Sequence, residues 1–352
     1  MSSTQVIYPY EHVINWPKVE QLIKSELNLN HVTDQMEVKP FSAGYSNLTF
    51  AISIGDWKGV LRRPPIGEIP AKAHDMEREY SVLKRMNAVF PLAPQPYILS
   101  KDTDIMERPF YVMENKAGVV LDDKLPKQFS PSTSSGKSIS YAVVDTLSLL
   151  HQVDCSDNGL KDFGRPEGYL KRQVEGWISR YQRSKTDDIP VTKEIESFLT
   201  KNLPPQNPVI SVVHNDFKLN NLMFDTQDPG KITGVFDWEL STIGDPLTDL
   251  GSSLAYWKGA HEPFTGVNSI THLPGFISRR EFIERYCQNT GCDVTSIDYY
   301  LTFAFYKVAA ILQQIYFRWK KGELTDERFK ELGMGVENLM TLSYQAMQKE
   351  II

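Results

Sequence analysis

Short apolar segments separated by polar turns occupy the middle of the chain. The run Val209–Val213 is largely apolar, and two further apolar segments follow it, Leu222–Phe224 and Ile232–Phe236. The last two are joined by Asp225–Gly230, which contains an Asp-Pro-Gly sequence that favours a turn. This pattern predicts a small hairpin, with polar residues gathered at the end opposite its turn.

Three polar side chains flank the predicted hairpin and indicate one kind of chemistry. Asp216 precedes Asn221 by five residues, and Asp237 directly follows the second hairpin segment. A carboxylate can orient an acceptor hydroxyl and take its proton, while an amide oxygen and a second carboxylate can hold Mg²⁺, so the set suits phosphoryl transfer. With His214, the spacing H-x-D-x-x-x-x-N is that of a kinase catalytic loop. His214 itself is predicted to hydrogen-bond the loop and to be structural.

The first third of the chain alternates between helix-like and strand-like patterns. On one predicted helix, Glu79 lies beside the apolar stripe, where a carboxylate needs a partner to offset its desolvation. Arg62 is the natural partner, although Glu77 would reach it almost as well. Arg62 and Arg63 could instead be surface charges on an edge strand. The elements predicted here are helices over about 16–27 and 70–88, and strands over 36–41, 48–54, 59–63 and 109–114.

The remainder of the chain is predicted to be mainly helical. Ser138 is expected to cap the first of these helices. Lys258–Gly275 is polar and contains glycine and proline, so it is predicted to be irregular, and long loops beside a site often carry specificity. The predicted helices cover about 139–152, 165–184, 191–203, a segment that starts at 244–250, 279–289, 296–320 and 325–348.

Composition excludes several classes of protein. The chain has 352 residues, 41% of them hydrophobic and 23% charged, which is ordinary for a globular protein of two domains or lobes. Its net charge of -6 argues against a nucleic-acid partner bound by a general basic surface. No apolar stretch approaches the length of a membrane span, and the N-terminal sequence does not resemble a secretory signal. The three cysteines form neither a disulfide framework nor a metal pattern, so we expect a cytoplasmic protein of unspecified oligomeric state.

Two adjoining motifs resemble a known family. HNDFKLNNLMFD begins at His214, and GVFDWELSTIGDPLTDLG begins at Gly234. Together they resemble the aminoglycoside phosphotransferase family of small-molecule kinases, most closely the branch of kinase-like domains associated with acyl-CoA dehydrogenases. Asn215 stands where that family usually has glycine, and asparagine tolerates a left-handed backbone better than most residues. Asp249 resembles the family's buried structural aspartate, which holds the catalytic loop by hydrogen bonds.

The resemblance implies a fold and a division of labour within it. The fold class is α+β, a bilobal protein-kinase-like fold with a small N-terminal lobe built on an antiparallel sheet and a larger, mainly helical C-terminal lobe. We expect residues 1–114 to form the nucleotide-binding lobe and residues 115–352 to form the catalytic and substrate-binding lobe.

The resemblance also assigns roles to residues of the first lobe. The loop Ser42–Asn47 matches the family's small-residue S-x-G-x-S-N loop and makes Gly44, Ser46 and Asn47 candidate phosphate contacts. Arg62, in V-L-R, stands where kinases carry the cation that grips the α- and β-phosphates, and Glu79 is its expected partner. Backbone groups near Met113 and Asn115 are expected to contact the adenine edge. An ordinary buried strand would have the same sequence pattern, so that alternative stays open.

The expected function is transfer of the γ-phosphate of ATP, or GTP, to a hydroxyl of a small molecule. Asp216 would be the base, Asn221 and Asp237 would hold Mg²⁺, and Lys218 would stabilise the transferred phosphoryl charge. A hydroxyacyl-CoA-like metabolite is one candidate acceptor. Alternatives are an aminoglycoside- or choline-type kinase and a catalytically idle kinase-like scaffold. A metal-dependent hydrolase is disfavoured because it would need more histidine ligands.

Overall fold

A computed structural model describes residues 8–41, 47–67, 75–129, 133–156 and 159–352. By its internal contacts the chain divides into two compact units, Met1–Ala117 and Gly118–Ile352, which are described in turn. Among the helices in the described ranges, none combines the length and the apolar character that a membrane span requires.

The first unit is built on a five-stranded antiparallel sheet. A fifth strand, Pro96–Ser100, joins the four predicted ones through its pairing with Phe110–Glu114. The sequence pattern did not predict it, because it is short and begins with proline. The third strand is therefore central, and an edge-strand location for Arg62 and Arg63 is wrong. The strands are β1 Glu37–Pro40, β2 Leu48–Ile54, β3 Trp57–Arg63, β4 Pro96–Ser100 and β5 Phe110–Glu114, in the order β1-β2-β3-β5-β4.

Two helices accompany this sheet. Helix α1, Trp16–Glu26, begins at Asn15, whose side chain accepts a hydrogen bond from the Lys18 amide at 3.3 Å, a normal N-cap. It buries Trp16 against Phe50 of β2, with ring centroids 5.2 Å apart. Helix α2, Met76–Val89, begins after Asp75, which caps it. The first residues of the helix predicted over 70–88 lie outside the described ranges.

The second unit is mainly helical, with two small sheets. The strands are β6 Val119–Val120, β7 Ser211–Val213, β8 Leu222–Phe224, β9 Ile232–Val235 and β10 Thr242–Gly244. The predicted hairpin is present: β8 pairs with β9, and β6 pairs with β8 on the other side. Strands β7 and β10 form the second sheet. The helices are α3 Thr133–His151, α4 Tyr169–Ser184, α5 Thr192–Lys201, α6 Pro246–Tyr256, α7 Arg279–Thr290, α8 Ile297–Lys320 and α9 Leu332–Met347.

Three predicted helix boundaries were wrong. Helix α3 begins at Thr133, so Ser138 lies inside it and does not cap it. The preceding segment, Lys124–Lys137, is rich in proline, serine and lysine and was therefore interpreted as a loop. Gly136 allows close packing within the helix, because a Cβ there would lie 2.5 Å from the backbone of Gly275. Helix α4 begins four residues later than predicted, after Gly168, whose φ is +64°. The last predicted helix is preceded by a separate 3₁₀ turn, Glu327–Glu331.

Helix α8 forms the centre of the second unit. Almost every residue from Ile297 to Gln313 is buried, and the helix packs against α6, α9 and α4. Helix α6 follows β10 directly and begins after Asp245, whose side chain caps it. The two helices thereby bring residues distant in sequence against the segment that carries the predicted chemistry.

Candidate active site

The hairpin β8–β9 places two of the predicted residues at one end. Leu222 pairs with Val235, and the Phe236 amide donates to the Asn221 carbonyl at 2.9 Å. Asn221 thus directly precedes one strand, and Asp237 lies one residue beyond the bond that closes the other. This backbone arrangement brings Asn221 and Asp237 to the end of the hairpin opposite its turn.

Asp216 is tied to the same end through Asn221. The side-chain nitrogen of Asn221, Nδ2, donates to the backbone carbonyl of Asp216 at 2.8 Å and to Asp216 Oδ2 at 3.0 Å. Because an amide group is planar, a nitrogen fixed on Asp216 turns the amide oxygen to the opposite side of the group. That oxygen is the atom that a metal would use.

Two further groups hold the Asp216 carboxylate. Lys218 Nζ lies 2.8 Å from Oδ2, and the Tyr256 hydroxyl donates to Oδ1 at 3.0 Å. Lys218 also lies 5.1 Å from the centre of the Tyr256 ring, so the three side chains form one cluster. Tyr256 was missed by the sequence analysis because an aromatic residue near the end of an apolar helix reads as core.

The charge of Asp216 is stabilised by its surroundings. Burial alone would raise the pKa of this carboxyl, but attraction to Lys218, and also to Lys307, outweighs burial and holds the pKa below its ordinary value. Asp216 is therefore ionised at neutral pH. Burial and the adjacent Asp216 charge raise the pKa of Tyr256 well above its ordinary value, so the phenol keeps the proton that it donates.

His214 has the structural role predicted for it. Its side chain is fully buried, with Nε2 2.8 Å from the Phe236 carbonyl and Nδ1 3.3 Å from the Asp216 amide. A carbonyl accepts and an amide donates, so these bonds assign the proton to Nε2. The ring thus joins the loop before β8 to the end of β9.

Asp249 holds the catalytic loop from the first turn of α6. Its carboxylate accepts the backbone N–H groups of His214 and Asn215, the second at 2.6 Å, and lies 3.4 Å from His151 Nε2. The residue is fully buried. Burial alone would raise its pKa, but the hydrogen bonds and the neighbouring histidines outweigh burial and lower it. The structural role that the family resemblance implied for Asp249 is confirmed by these contacts.

Two residues of the site have a left-handed backbone. Asn215 has φ +69° and Asp237 has φ +66°, values that cost most residues about 1 kcal/mol or more. Asn215 is held there by Tyr169, whose hydroxyl donates to its Oδ1 at 2.8 Å, and by its own Nδ2, which donates to the Leu240 carbonyl at 2.9 Å. The glycine that the family usually places at this position is thus replaced by an asparagine whose side chain is bonded on both sides.

A buried lysine that the sequence analysis did not identify supports this loop. Lys307, in α8, is 5% exposed and donates from Nζ to the Asn215 carbonyl at 2.7 Å. Burial lowers its pKa, while Asp216 and Asp249 act in the opposite direction. It lies among the apolar positions of α8, where the stripe of aromatic and small residues predicts only core.

In the first unit, Arg62 and Glu79 form the predicted pair. Arg62 Nε lies 3.1 Å from Glu79 Oε2, and both side chains are largely buried. Tyr111 donates to the same oxygen at 3.0 Å, and Asn47 donates to Oε1 at 3.2 Å. Glu77, which the sequence left open as a partner, instead pairs with Lys101 at the surface.

Two of the other residues that are predicted to contact the nucleotide lie in or next to β5. Met113 is in β5, paired with Val60, and Asn115 directly follows that strand. Gly44 and Ser46 lie outside the described residues. Phosphate or adenine contacts by these residues and by Asn47 stay predictions.

The donor set of the second unit fits a hard divalent cation. In the described ranges, no group of three or more histidine, cysteine and acidic side chains forms a self-contained metal site. An amide oxygen and one carboxylate from Asn221 and Asp237 are instead a partial set of the kind that Mg²⁺ completes with phosphate oxygens and water. These residues therefore suit a metal that arrives with a nucleotide.

Comparison with known proteins extends this description. Residues 37–273 match the phosphotransferase enzyme family. Acyl-CoA dehydrogenase family member 10 of Mus musculus is 33% identical over 338 residues, which cover 94% of this chain and 31% of that protein. The crystal structure of a Ralstonia eutropha protein provisionally assigned as an aminoglycoside phosphotransferase has a TM-score of 0.80 at 27% identity, over 96% of this chain and 99% of that one.

A more distant structure shows the shared fold. A thermostable variant of the aminoglycoside phosphotransferase APH(4)-Ia, in a ternary complex with ADP and hygromycin B, has a TM-score of 0.60 at 15% identity, over 92% of this chain and 97% of that one. The chain spans about a third of the length of the curated relative named above. The chain belongs to the phosphotransferase enzyme family, as its central motif predicted, and has the α+β protein-kinase-like fold.

Proposed function

We propose that this protein transfers the γ-phosphate of ATP to a hydroxyl group of a small molecule. The observation that carries the proposal is the hydrogen bond from Asn221 to Asp216 at the hairpin end where Asp237 also emerges. That arrangement unites a base and two oxygen donors for a metal, which are the parts that phosphoryl transfer requires.

Each predicted site residue of the second unit has a defined role in this reaction. The Asp216 carboxylate accepts the proton of the acceptor hydroxyl. At the same time the hydroxyl oxygen forms a bond to the γ-phosphorus, and the bond from that phosphorus to the bridging oxygen of ADP breaks. Lys218, 2.8 Å from that carboxylate, offsets negative charge on the transferred group. Asn221 and Asp237 hold Mg²⁺, which neutralises phosphate charge when bound.

The first unit, which contains the lobe predicted over residues 1–114, binds the nucleotide in this proposal. Arg62 grips the α- and β-phosphates, and the buried Glu79 fixes the direction of its guanidinium group. Gly44, Ser46 and Asn47 contact phosphate, and backbone groups near Met113 and Asn115 contact adenine. The ADP bound to the APH(4)-Ia variant supports nucleotide binding by this fold, and the roles of the individual residues are part of the proposal.

For the acceptor we propose a hydroxylated acyl thioester. The curated relative is an acyl-CoA dehydrogenase family member, which supports an acyl-CoA context. The irregular segment Lys258–Gly275 carries Glu262 as its single acid, and that carboxylate is bound by Arg279. A polycationic aminoglycoside would need several carboxylates, so this segment is unsuited to it.

The test is ATP turnover against pooled hydroxylated metabolites that include hydroxyacyl-CoA thioesters, with products identified by mass spectrometry. We expect a phosphorylated thioester and ADP in equal amounts, and loss of both when EDTA removes Mg²⁺. Tight ATP binding without Mg²⁺-dependent transfer to any pool would contradict the enzymatic proposal and favour a nucleotide-binding scaffold.

A further inference from the structure

A small cavity lies beside the Asp216 cluster within the second unit. Its volume is about 30 Å³, room for about one water molecule. Lys218 and Tyr256 form part of its wall, together with the neutral polar side chains of Ser253, Asn268 and Thr271. Asp216 is not among the described residues that line it. Lys218 and Tyr256, two of the three described side chains that bond the Asp216 carboxylate, thus contact both that carboxylate and the cavity.

A count of hydrogen bonds shows which carboxylate oxygen can take a further donor. Each oxygen of a carboxylate accepts about two hydrogen bonds. Oδ2 of Asp216 already receives Asn221 Nδ2 and Lys218 Nζ, whereas among the described residues Oδ1 receives the Tyr256 hydroxyl. An incoming hydroxyl must therefore donate to Oδ1, and on the side of the cavity that oxygen already receives the Tyr256 hydroxyl.

The contact that Tyr256 makes is the contact expected of an acceptor. In both cases a hydroxyl donates to a carboxylate oxygen at ordinary hydrogen-bond distance, here 3.0 Å. We propose that the cavity is the approach for the acceptor alcohol, and that in the resting protein the Tyr256 hydroxyl occupies the position that the acceptor hydroxyl takes. This inference rests on the proposed phosphotransferase function and adds to it a location for the acceptor and a positioning residue.

The cavity wall also defines the chemical class of the group that enters. Ser253 and Thr271 already donate their hydroxyl protons to backbone carbonyls, and Asn268 Nδ2 donates to Asp122 at 3.4 Å, so these neutral side chains offer mainly acceptor oxygens to the cavity. Leu121, Val143 and Trp257 supply apolar surface on the same wall. The wall therefore suits an aliphatic alcohol with neutral polar substituents, which enters by displacing Tyr256 and widening the cavity.

A purely structural role for Tyr256 and a role as occupant of the acceptor position predict opposite changes of rate in Tyr256→Phe. If Tyr256 only supports Asp216, then Tyr256→Phe removes support and slows every reaction of the site. If its hydroxyl occupies the acceptor position, Tyr256→Phe vacates that position for water. Water held by Asp216 would then give a proton to that carboxylate as its oxygen bonds to the γ-phosphorus and the bond to the bridging oxygen of ADP breaks. Hydrolysis without an added acceptor therefore rises.

The first experiment measures Mg²⁺-dependent ATP hydrolysis without acceptor in the wild-type protein, Tyr256→Phe and the matched control Tyr344→Phe, which lies in α9. We expect Tyr256→Phe to hydrolyse ATP at least about threefold faster than the wild type, because no tyrosine hydroxyl competes with water for Asp216 Oδ1. We expect Tyr344→Phe to match the wild type. A rate for Tyr256→Phe at or below that of the wild type would overturn the inference.

A second experiment decides the inference even if the wild-type protein does not turn over ATP, which would count against the proposed function alone. Crystals of Tyr256→Phe and of the wild type are soaked in glycerol as a hydroxyl probe. We expect a glycerol or water oxygen within hydrogen-bond distance of Asp216 Oδ1 in the variant, and the Tyr256 hydroxyl there in the wild type. A phenyl ring that covers Oδ1 with no such oxygen in the variant would overturn the inference.

Discussion

Lys307 donates a hydrogen bond from Nζ to the backbone carbonyl of Asn215 at 2.7 Å, although 92 residues separate them. The bond places a buried positive charge behind the residue that precedes Asp216. It stabilises the loop by pairing a carbonyl, and it stabilises the Asp216 carboxylate by its charge. Helix α8 therefore contributes to the electrostatics of the site as well as to the core.

Removing this charge should shift the pH dependence of the reaction. Lys307 favours the ionised form of Asp216, so Lys307→Met raises the pKa of that carboxyl. Because the base works only when ionised, the fall in kcat/KM on acidification should begin at higher pH. We expect a shift below about one unit, since Lys218 still attracts the carboxylate. The control is Lys320→Met, an exposed lysine of α8 that pairs with Asp187. An unchanged acid limb in Lys307→Met would contradict the electrostatic role.

The buried carboxylate of Asp249 should dominate the stability of the catalytic loop. Asp249→Asn places an amide nitrogen against a backbone N–H that now has no acceptor, and the free energy of unfolding should fall by about 3 kcal/mol. Urea denaturation measures this loss. The exposed Asp162→Asn variant is the control and should change stability by about 0.5 kcal/mol or less.

The same residue predicts a dependence of stability on pH. The folded-state pKa of Asp249 is lowered, so its contribution is complete above the carboxyl pKa of the unfolded chain, about 3.9. The contribution is lost as the pH falls from there through the folded-state pKa. Wild-type protein should lose stability in that acidic window more steeply than Asp249→Asn, and equal slopes would show that Asp249 is not the linked group.

The free-energy cost of the left-handed backbone at position 215 can be measured by comparing the stabilities of two variants. Asn215→Gly and Asn215→Ala both lose the bonds to Tyr169 and Leu240, but only alanine carries a Cβ at φ +69°. We expect the glycine variant to be more stable than the alanine variant by about 1 kcal/mol. Equal stabilities in thermal unfolding would mean that this backbone position changes conformation without cost.

Glu79 should affect nucleotide binding through Arg62. Glu79→Gln removes the charge 3.1 Å from Arg62 Nε, so the guanidinium group is less well positioned. We expect the KM for ATP to rise about tenfold, equivalent to about 1.4 kcal/mol, with a smaller change in kcat. Glu77→Gln, in the same helix but paired with Lys101 at the surface, is the matched control. A similar KM in both variants would remove Glu79 from the nucleotide site.

Local features of the sequence were sufficient to predict the centre of the site. The hairpin was recognisable from two apolar segments and an Asp-Pro-Gly turn, and Asn221 and Asp237 lie at its end for reasons of backbone pairing alone. For Arg62, spacing left both Glu79 and Glu77 as possible partners, and the family resemblance favoured Glu79. The hairpin thus followed from local spacing, and the Arg62–Glu79 pair followed from spacing together with the resemblance.

The missed residues depend on tertiary packing. Tyr256, Lys307 and Tyr111 reach their partners from 40, 92 and 32 residues away. In sequence each lies in an apolar segment, where an aromatic ring or the aliphatic part of a lysine is ordinary core. Strand β4 was missed for the same reason, since its pairing with β5 decides its conformation.

The central claim is that Asp216 acts as the base of a phosphotransferase, and one substitution tests it most directly. The measurement is the rate of ATP-dependent phosphate transfer to an accepted hydroxylated substrate by Asp216→Asn, with Asp225→Asn at the turn of the hairpin as control. We predict that Asp216→Asn loses transfer by about a hundredfold or more while its affinity for ATP stays within about threefold, and that Asp225→Asn matches the wild type. Full transfer activity in Asp216→Asn would contradict the account.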